Sequence, residues 1–107
     1  VMVLGGEPVV VLPPNPGKGG RNMALALHLA REIAGTEGLR ILVAGTAGTD
    51  GPTDAAGALV DGQTWEASGA DALARADAYP WLDARGALGK SGPTGTNVAD
   101  LMVVIKD

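Results

Sequence analysis

The sequence predicts an α/β domain: a small mixed sheet with an N-terminal β-hairpin, followed by alternating helices and strands. Three observations carry that prediction. The composition, 46 % hydrophobic and 19 % charged, is that of a chain with a core to bury. Short Val- and Leu-rich runs alternate with stretches of helical period. The 17 glycines, against 3 % aromatics and no Phe, gather at the ends of the apolar segments, as turns and close backbone approaches require.

Taken in order, Val1 to Leu4 and Pro8 to Leu12 read as two strands joined through Gly5-Gly6-Glu7, an antiparallel hairpin. The segment PPNPGKGGRN (Pro13 to Asn22) is too rich in proline and glycine to be helix or strand. Asn22 then reads as an N-cap, and Met23, Ala26, Leu27, Ala30, Ile33 and Ala34 form one helical face opposite His28, Arg31 and Glu32. Gly35 stops that helix. Ile41 to Ala44 is a continuous apolar run, the mark of a buried strand reached by a helical crossover. A second helix is predicted from Thr53 to about Val60, with Asp54 in its first turn favouring the helix dipole. Ser68 and Asp77 read as caps of two further short helices, and Leu101 to Ile105 as a closing buried strand. A parallel relation between the last two strands named would bring their glycine loops to one edge, where ligands of such sheets bind.

At 107 residues the chain has room for one domain with a modest core. A net charge of −4 argues against broad electrostatic binding to nucleic acid or to an anionic membrane, so any anion site must be local. No apolar run reaches the roughly 20 residues of a membrane span, and no signal peptide opens the chain. The absence of cysteine removes disulfides, thiolate metal sites and thiol nucleophiles, and fits a cytoplasmic protein.

Three loops carry candidate chemistry. In GKGGRN, glycines allow successive backbone N–H groups to point into one concavity, and the helix that follows adds its partial positive charge; Lys18 and Arg21 add full charges. A solvated loop with basic residues kept for solubility is the competing reading. In GTAGTDGPTDAAGA (Gly45 to Ala58), Asp50 and Asp54 are candidate Mg²⁺ ligands, because that ion takes one or two carboxylates beside phosphate oxygens. A purely structural first-turn role competes for Asp54. SGPTGTNVAD (Ser91 to Asp100) offers glycines, hydroxyls and an amide before a strand.

Other features are set aside. ALGKS (Ala87 to Ser91) is not a Walker A motif, since Ala84 stands where that motif needs glycine. His28 lies on a polar helix face and reads as solvated, and no Ser/His/Asp set assembles around it. Trp65, Tyr79 and Trp81 read as core or domain-contact residues.

Together GGE (Gly5 to Glu7), GKGGRN (Gly17 to Asn22), TDGPTDAAGA (Thr49 to Ala58) and GPTGTNVADL (Gly92 to Leu101) resemble the MOFRL domain, the C-terminal domain of type-2 glycerate kinases. The resemblance covers nearly the whole chain. It implies one MOFRL-like domain over 1–107, the C-terminal part of a larger enzyme that uses ATP and Mg²⁺ to phosphorylate D-glycerate to 2-phosphoglycerate. The implied active site is a cleft against an N-terminal Rossmann-like domain, and the isolated domain is expected to be inactive. Chain length and a start directly in a strand suit a fragment of such a protein. Some members are labelled hydroxypyruvate reductases, and a stand-alone small-ligand binding domain is a further reading. Carried over by motif, Arg21 faces substrate or the transferred phosphate, and Lys18, Gly19, Gly20, Asn22, Thr94, Gly95, Thr96 and Asn97 support it. The family pattern has acidic residues where this chain has Ala24 and Ala47, which leaves Asp50 and Asp54 as the acidic residues for metal.

Overall fold

The structure, a computed structural model, describes residues 2–6, 17–45, 55–89 and 100–106. The elements in chain order are β1 (Met2–Gly6), α1 (Arg21–Glu32), β2 (Leu39–Gly45), β3 (Gly57–Asp61), α2 (Gly69–Ala74), α3 (Ala78–Asp83), β4 (Leu88–Gly89) and β5 (Asp100–Lys106). They form a five-stranded sheet in the order β1-β5-β2-β3-β4. The α/β class expected from the sequence holds.

Helix α1 forms where the period of 3.6 demanded it. Met23, Ala26, Leu27, Ala30 and Ile33 are buried, while His28, Arg31 and Glu32 are exposed. Ala34, expected on the same face, is exposed in the turn beyond the helix. Two alanines among the buried residues keep that face shallow, so the helix packs closely on β2 and β3. Burying Met23 and Leu27 contributes roughly 1.5–3 kcal/mol each relative to exposure. The N-cap is Gly20, with extended backbone, and the expected cap Asn22 is instead a buried residue of the first turn, 1 % exposed. At the other end Gly35 takes a φ of +83° and its N–H donates to the Gly62 carbonyl at 2.8 Å. Glycine suits that left-handed position, and the bond ties the end of α1 to the end of β3.

The predicted helix from Thr53 to Val60 is corrected. Residues 53 and 54 lie outside the described residues, and Gly57–Asp61 is strand β3, paired antiparallel with β2 from Arg40↔Asp61 to Ala44↔Gly57. Its pattern has period two: Ala58 and Val60 are buried beneath α1, and Leu59 points to the opposite face. Gly57 lets the two backbones meet, since a Cβ there would collide with the Val43 carbonyl oxygen.

The predicted parallel relation is corrected as well: β2 and β5 pair antiparallel, from Leu39↔Lys106 to Gly45↔Asp100. Strand β1 also pairs antiparallel with β5, from Met2↔Val104 to Gly6↔Asp100, so Gly5 and Gly6 belong to the strand and not to the expected turn, and the expected hairpin partner Pro8 to Leu12 lies outside the described residues. Among the described residues, one sheet face is deeply buried. Ile41, Val43, Ala58 and Val60 point under the helices with Met102 and Val104, whereas Leu59 and Leu101 remain 44 % and 38 % exposed on the other face. The closing strand is therefore half-buried rather than buried.

Ser68 and Asp77 do precede α2 and α3, yet neither side chain caps its own helix. Ser68 Oγ accepts the Trp81 Nε1–H bond at 3.0 Å. Trp65 and Trp81 lie 6.1 Å apart at 41°, with the Arg85 guanidinium 3.5 Å over Trp81 and paired with Glu66 at 3.0 Å. This half-buried cluster packs against the core, as expected of these aromatics.

Candidate functional site

The antiparallel ladder brings one end of each described strand to a single edge. Asp100 opens β5 opposite both Gly6, which ends β1, and Gly45, which ends β2. Gly57 opens β3 beside Ala44, and Gly89 ends β4 beside Gly57. The Gly45 N–H donates to the Ala56 carbonyl at 2.9 Å, and the Ala56 N–H to the Gly89 carbonyl at 2.7 Å, which closes this edge. The C-terminus of α1 is fixed at the far edge through Gly35 and Gly62. A helix of 12 residues spans about 18 Å, close to the length of β2, and α1 packs on β2 and β3. The expected gathering of strand ends thus arises from antiparallel pairing, which sets the C-terminal end of β2 beside the N-terminal end of β5.

Gly17 to Gly20 leads into α1 and is strapped to the corner between α2 and α3. The Gly17 N–H donates to the Arg75 carbonyl at 2.8 Å, and the Lys18 N–H to Asp77 Oδ1 at 2.7 Å. In return the Lys18 carbonyl accepts the Tyr79 N–H at 2.9 Å. That bond satisfies a first-turn donor of α3, where Pro80 has none to offer. The Lys18 ammonium lies 4.0 Å from the centroid of the Tyr79 ring, a cation–π contact. Glycine is required at position 17, where a Cβ would run into the Asp77 carboxylate.

After these bonds, the N–H groups of Gly19 and Gly20 donate to no described residue. They precede the N-terminus of α1, and Arg21 stands exposed at the first helical position beside buried Asn22. Backbone donors, a helix N-terminus and a guanidinium in succession are the components of an anion site. Lys18, Gly19, Gly20, Arg21 and Asn22 are therefore contiguous in space. The other predicted site residues, Asp50, Asp54, Thr94, Gly95, Thr96 and Asn97, lie outside the described residues, as do Gly48 and Lys90. Their flanking positions Gly45, Ala55, Gly89 and Asp100 lie on the edge described above. Among the described residues no group of His, Cys, Asp or Glu is arranged to hold a metal ion.

Sequence reasoning missed Asp77, Tyr79 and Arg75 as supports of the glycine loop. Asp77 was legible only as a helix cap, because its partner Lys18 is 59 positions away. A separate concavity of about 430 Å³ opens at the far edge, between Arg40, Asp61, Glu66 and Arg85. It lies away from the glycine loop, and its Arg85 is engaged by Glu66 and Trp81. The rejected ALGKS segment contributes Leu88 and Gly89 to β4, a structural use. No described helix is long and apolar enough to cross a membrane.

Comparison with known proteins agrees with this architecture. The chain is 50 % identical to a D-glycerate 2-kinase of Thermotoga maritima over 95 % of its own length and 26 % of that protein. It is 43 % identical to a glycerate 2-kinase of Pyrococcus horikoshii, with 98 % and 25 % covered. A crystal structure of glycerate kinase from Thermotoga maritima superposes with a TM-score of 0.91 at 46 % identity, covering 98 % of this chain and 27 % of that one. Two relatives from Agrobacterium vitis are named putative hydroxypyruvate reductases. The chain thus spans about a quarter of the length of the curated relatives it matches. The sequence model of the MOFRL family matches residues 1–100, and with the shared fold and glycine motifs this makes the chain a member of the MOFRL family.

Proposed function

We propose that the chain is the C-terminal domain of an ATP- and Mg²⁺-dependent glycerate 2-kinase that phosphorylates D-glycerate to 2-phosphoglycerate. The observation that carries this reading is the Gly19–Gly20–Arg21 approach to the α1 N-terminus, in a chain 50 % identical to a D-glycerate 2-kinase. Phosphoryl transfer asks little covalent chemistry of the protein; it asks for donors and positive charge around the phosphoryl oxygens, and for reactants held in line.

In this reading the Gly19 and Gly20 N–H groups and the α1 dipole bind phosphoryl oxygens. Arg21 donates to the oxygens that gain charge in the transition state, a contact that strengthens as transfer proceeds. Lys18 and Asn22 hold the ends of the glycine segment, and Thr94, Gly95, Thr96 and Asn97, which precede β5 in the sequence, add donors. Mg²⁺ would neutralise phosphate charge, and Asp50 or Asp54 would be the residue to hold it. ATP and glycerate meet in a cleft between this domain and an N-terminal Rossmann-like domain in the remaining three quarters of the protein. The whole protein is placed in the cytoplasm, and this domain alone is inactive.

The hydroxypyruvate reductase reading is favoured only by the names of two relatives. Hydride transfer commonly uses a G-x-G-x-x-G turn opening a helix and an acidic residue about 20 positions later, and no segment here meets that description. The test is direct: the purified whole protein, given D-glycerate, ATP and Mg²⁺, is expected to form 2-phosphoglycerate. Reduction of hydroxypyruvate by NADH or NADPH, with no ATP consumed on glycerate, would overturn the assignment.

A further inference from the structure

The corner between α2 and α3 is built with unusual care for a surface turn. Helix α2 ends in a Schellman arrangement: the Asp77 N–H donates to the Ala72 carbonyl at 2.8 Å and the Ala76 N–H to the Leu73 carbonyl at 3.2 Å. That motif needs a left-handed residue, and here the position is held by Ala76 at φ +51° rather than by glycine. Such a conformation persists only where surrounding contacts over-determine it. Its product is the direction of Asp77. Leaving the motif with φ −119° and ψ 45°, Asp77 turns its carboxylate away from α3 toward the Gly17–Gly20 segment, where Oδ1 accepts the Lys18 N–H at 2.7 Å. The other oxygen, Oδ2, lies 3.5 Å from Arg75, whose carbonyl accepts the Gly17 N–H.

We propose that Asp77 is a positioning residue for the phosphate-binding loop, which fixes where Gly19, Gly20 and Arg21 present their donors. The proposal rests on the kinase reading and names the part of the fold that sets its geometry. Asp77 touches no substrate. It acts through a bond to the Lys18 N–H, one residue before the Gly19 N–H, the first assigned to phosphate contact. The Tyr79–Lys18 bond returns from the same corner, so the loop is held from both its donor and its acceptor side. A carboxylate suits this place because a charged acceptor makes the stronger bond to an amide. Displacement of a reacting group by about 1 Å costs on the order of a hundredfold in rate.

The experiment compares Asp77→Ala and Asp77→Asn in the whole protein. Asparagine keeps an acceptor oxygen in the same place, and alanine does not. Asp77→Ala is expected to lower kcat for phosphoglycerate formation by about tenfold to a hundredfold, with Asp77→Asn returning to within about threefold of the unmodified protein. Hydrogen exchange should quicken in peptides covering residues 17–20 and 78–80 of Asp77→Ala, and stay unchanged across the middle of α1. Equal kcat in both variants and the unmodified protein would overturn the proposal. So would an activity loss shared by both variants that tracks their thermal unfolding, or unchanged exchange at residues 17–20. Absence of phosphoglycerate formation by the unmodified protein would instead sink the kinase reading, and the exchange comparison would still decide whether Asp77 holds the loop.

Discussion

Gly45 and Asp100 are register partners at the end of the β2–β5 ladder, and Gly6 meets the same Asp100 from the other side. Three chain segments therefore leave or enter the sheet within two strand spacings, roughly 10 Å. The segments that connect there are those in which the sequence concentrates its glycines, hydroxyls and acidic residues. Only antiparallel pairing does this for a strand that ends and a strand that begins, so the topology itself makes the edge a meeting point.

Arg21 is the first residue to test. It is exposed, so its removal leaves no cavity, and Arg21→Ala is expected to change the stability of the isolated chain by no more than about 1 kcal/mol. Turnover in the whole protein should fall by a factor corresponding to about 2–4 kcal/mol, the worth of a charged donor to a developing oxyanion. Arg21→Lys keeps the charge without the planar fork and should recover only part of the loss. An Arg21→Ala protein with unchanged kcat would remove Arg21 from the site.

The one-sided sheet makes a stability prediction. Leu27 is fully buried between α1 and the sheet, whereas Leu59 is 44 % exposed on the opposite face. Leu27→Ala should cost about 2–5 kcal/mol, from lost transfer energy and the cavity left behind. Leu59→Ala, compared in the isolated chain by urea denaturation, should cost below about 1 kcal/mol. Equal midpoints for the two variants would contradict the assignment of the buried face.

How much of this was legible beforehand depends on the range of the interaction. Helix α1 was legible because five buried positions repeat at helical spacing, a signal that local sequence contains in full. Strand β3 was not, because Ala58-Leu59-Val60 is too short an apolar run for period alone to separate helix from strand; the Gly57–Val43 backbone contact across the ladder decides it. Asn22 looked like a cap because its residue type favours that role, but burial against the core claimed it and Gly20 took the cap. At the site, the glycines and Arg21 were legible from type and order. Asp77 was not, since no local pattern announces a bond to a residue 59 positions away.

Ala76 tests the strained corner in a way that separates stability from function. A left-handed φ of +51° costs an alanine about 1–2 kcal/mol, and glycine carries no such penalty. Glycine also gives the unfolded chain more freedom, which offsets about 0.4–1 kcal/mol. Ala76→Gly should therefore raise stability by about 0.5–1 kcal/mol in urea denaturation while leaving kcat unchanged. A loss of stability would mean that the corner does not hold the backbone assigned to it.

Gly17 supplies the converse test, because it sits against the carboxylate of Asp77 without contributing any group to the loop's chemistry. A Cβ at position 17 would collide with Oδ1 and Cγ of Asp77, so Gly17→Ala must push the carboxylate from the Lys18 N–H, the loop from the corner, or both. Each movement disturbs the approach to Gly19, Gly20 and Arg21. The variant is expected to lose turnover by about tenfold or more, and to lose little further when combined with Asp77→Ala, because both changes break the same connection. Gly35→Ala is the control: it places a methyl group at a positive φ but in open space at the far edge, and should cost stability with kcat retained in the folded protein. Multiplying losses in the Gly17→Ala, Asp77→Ala double variant would show that the two residues act on the loop independently.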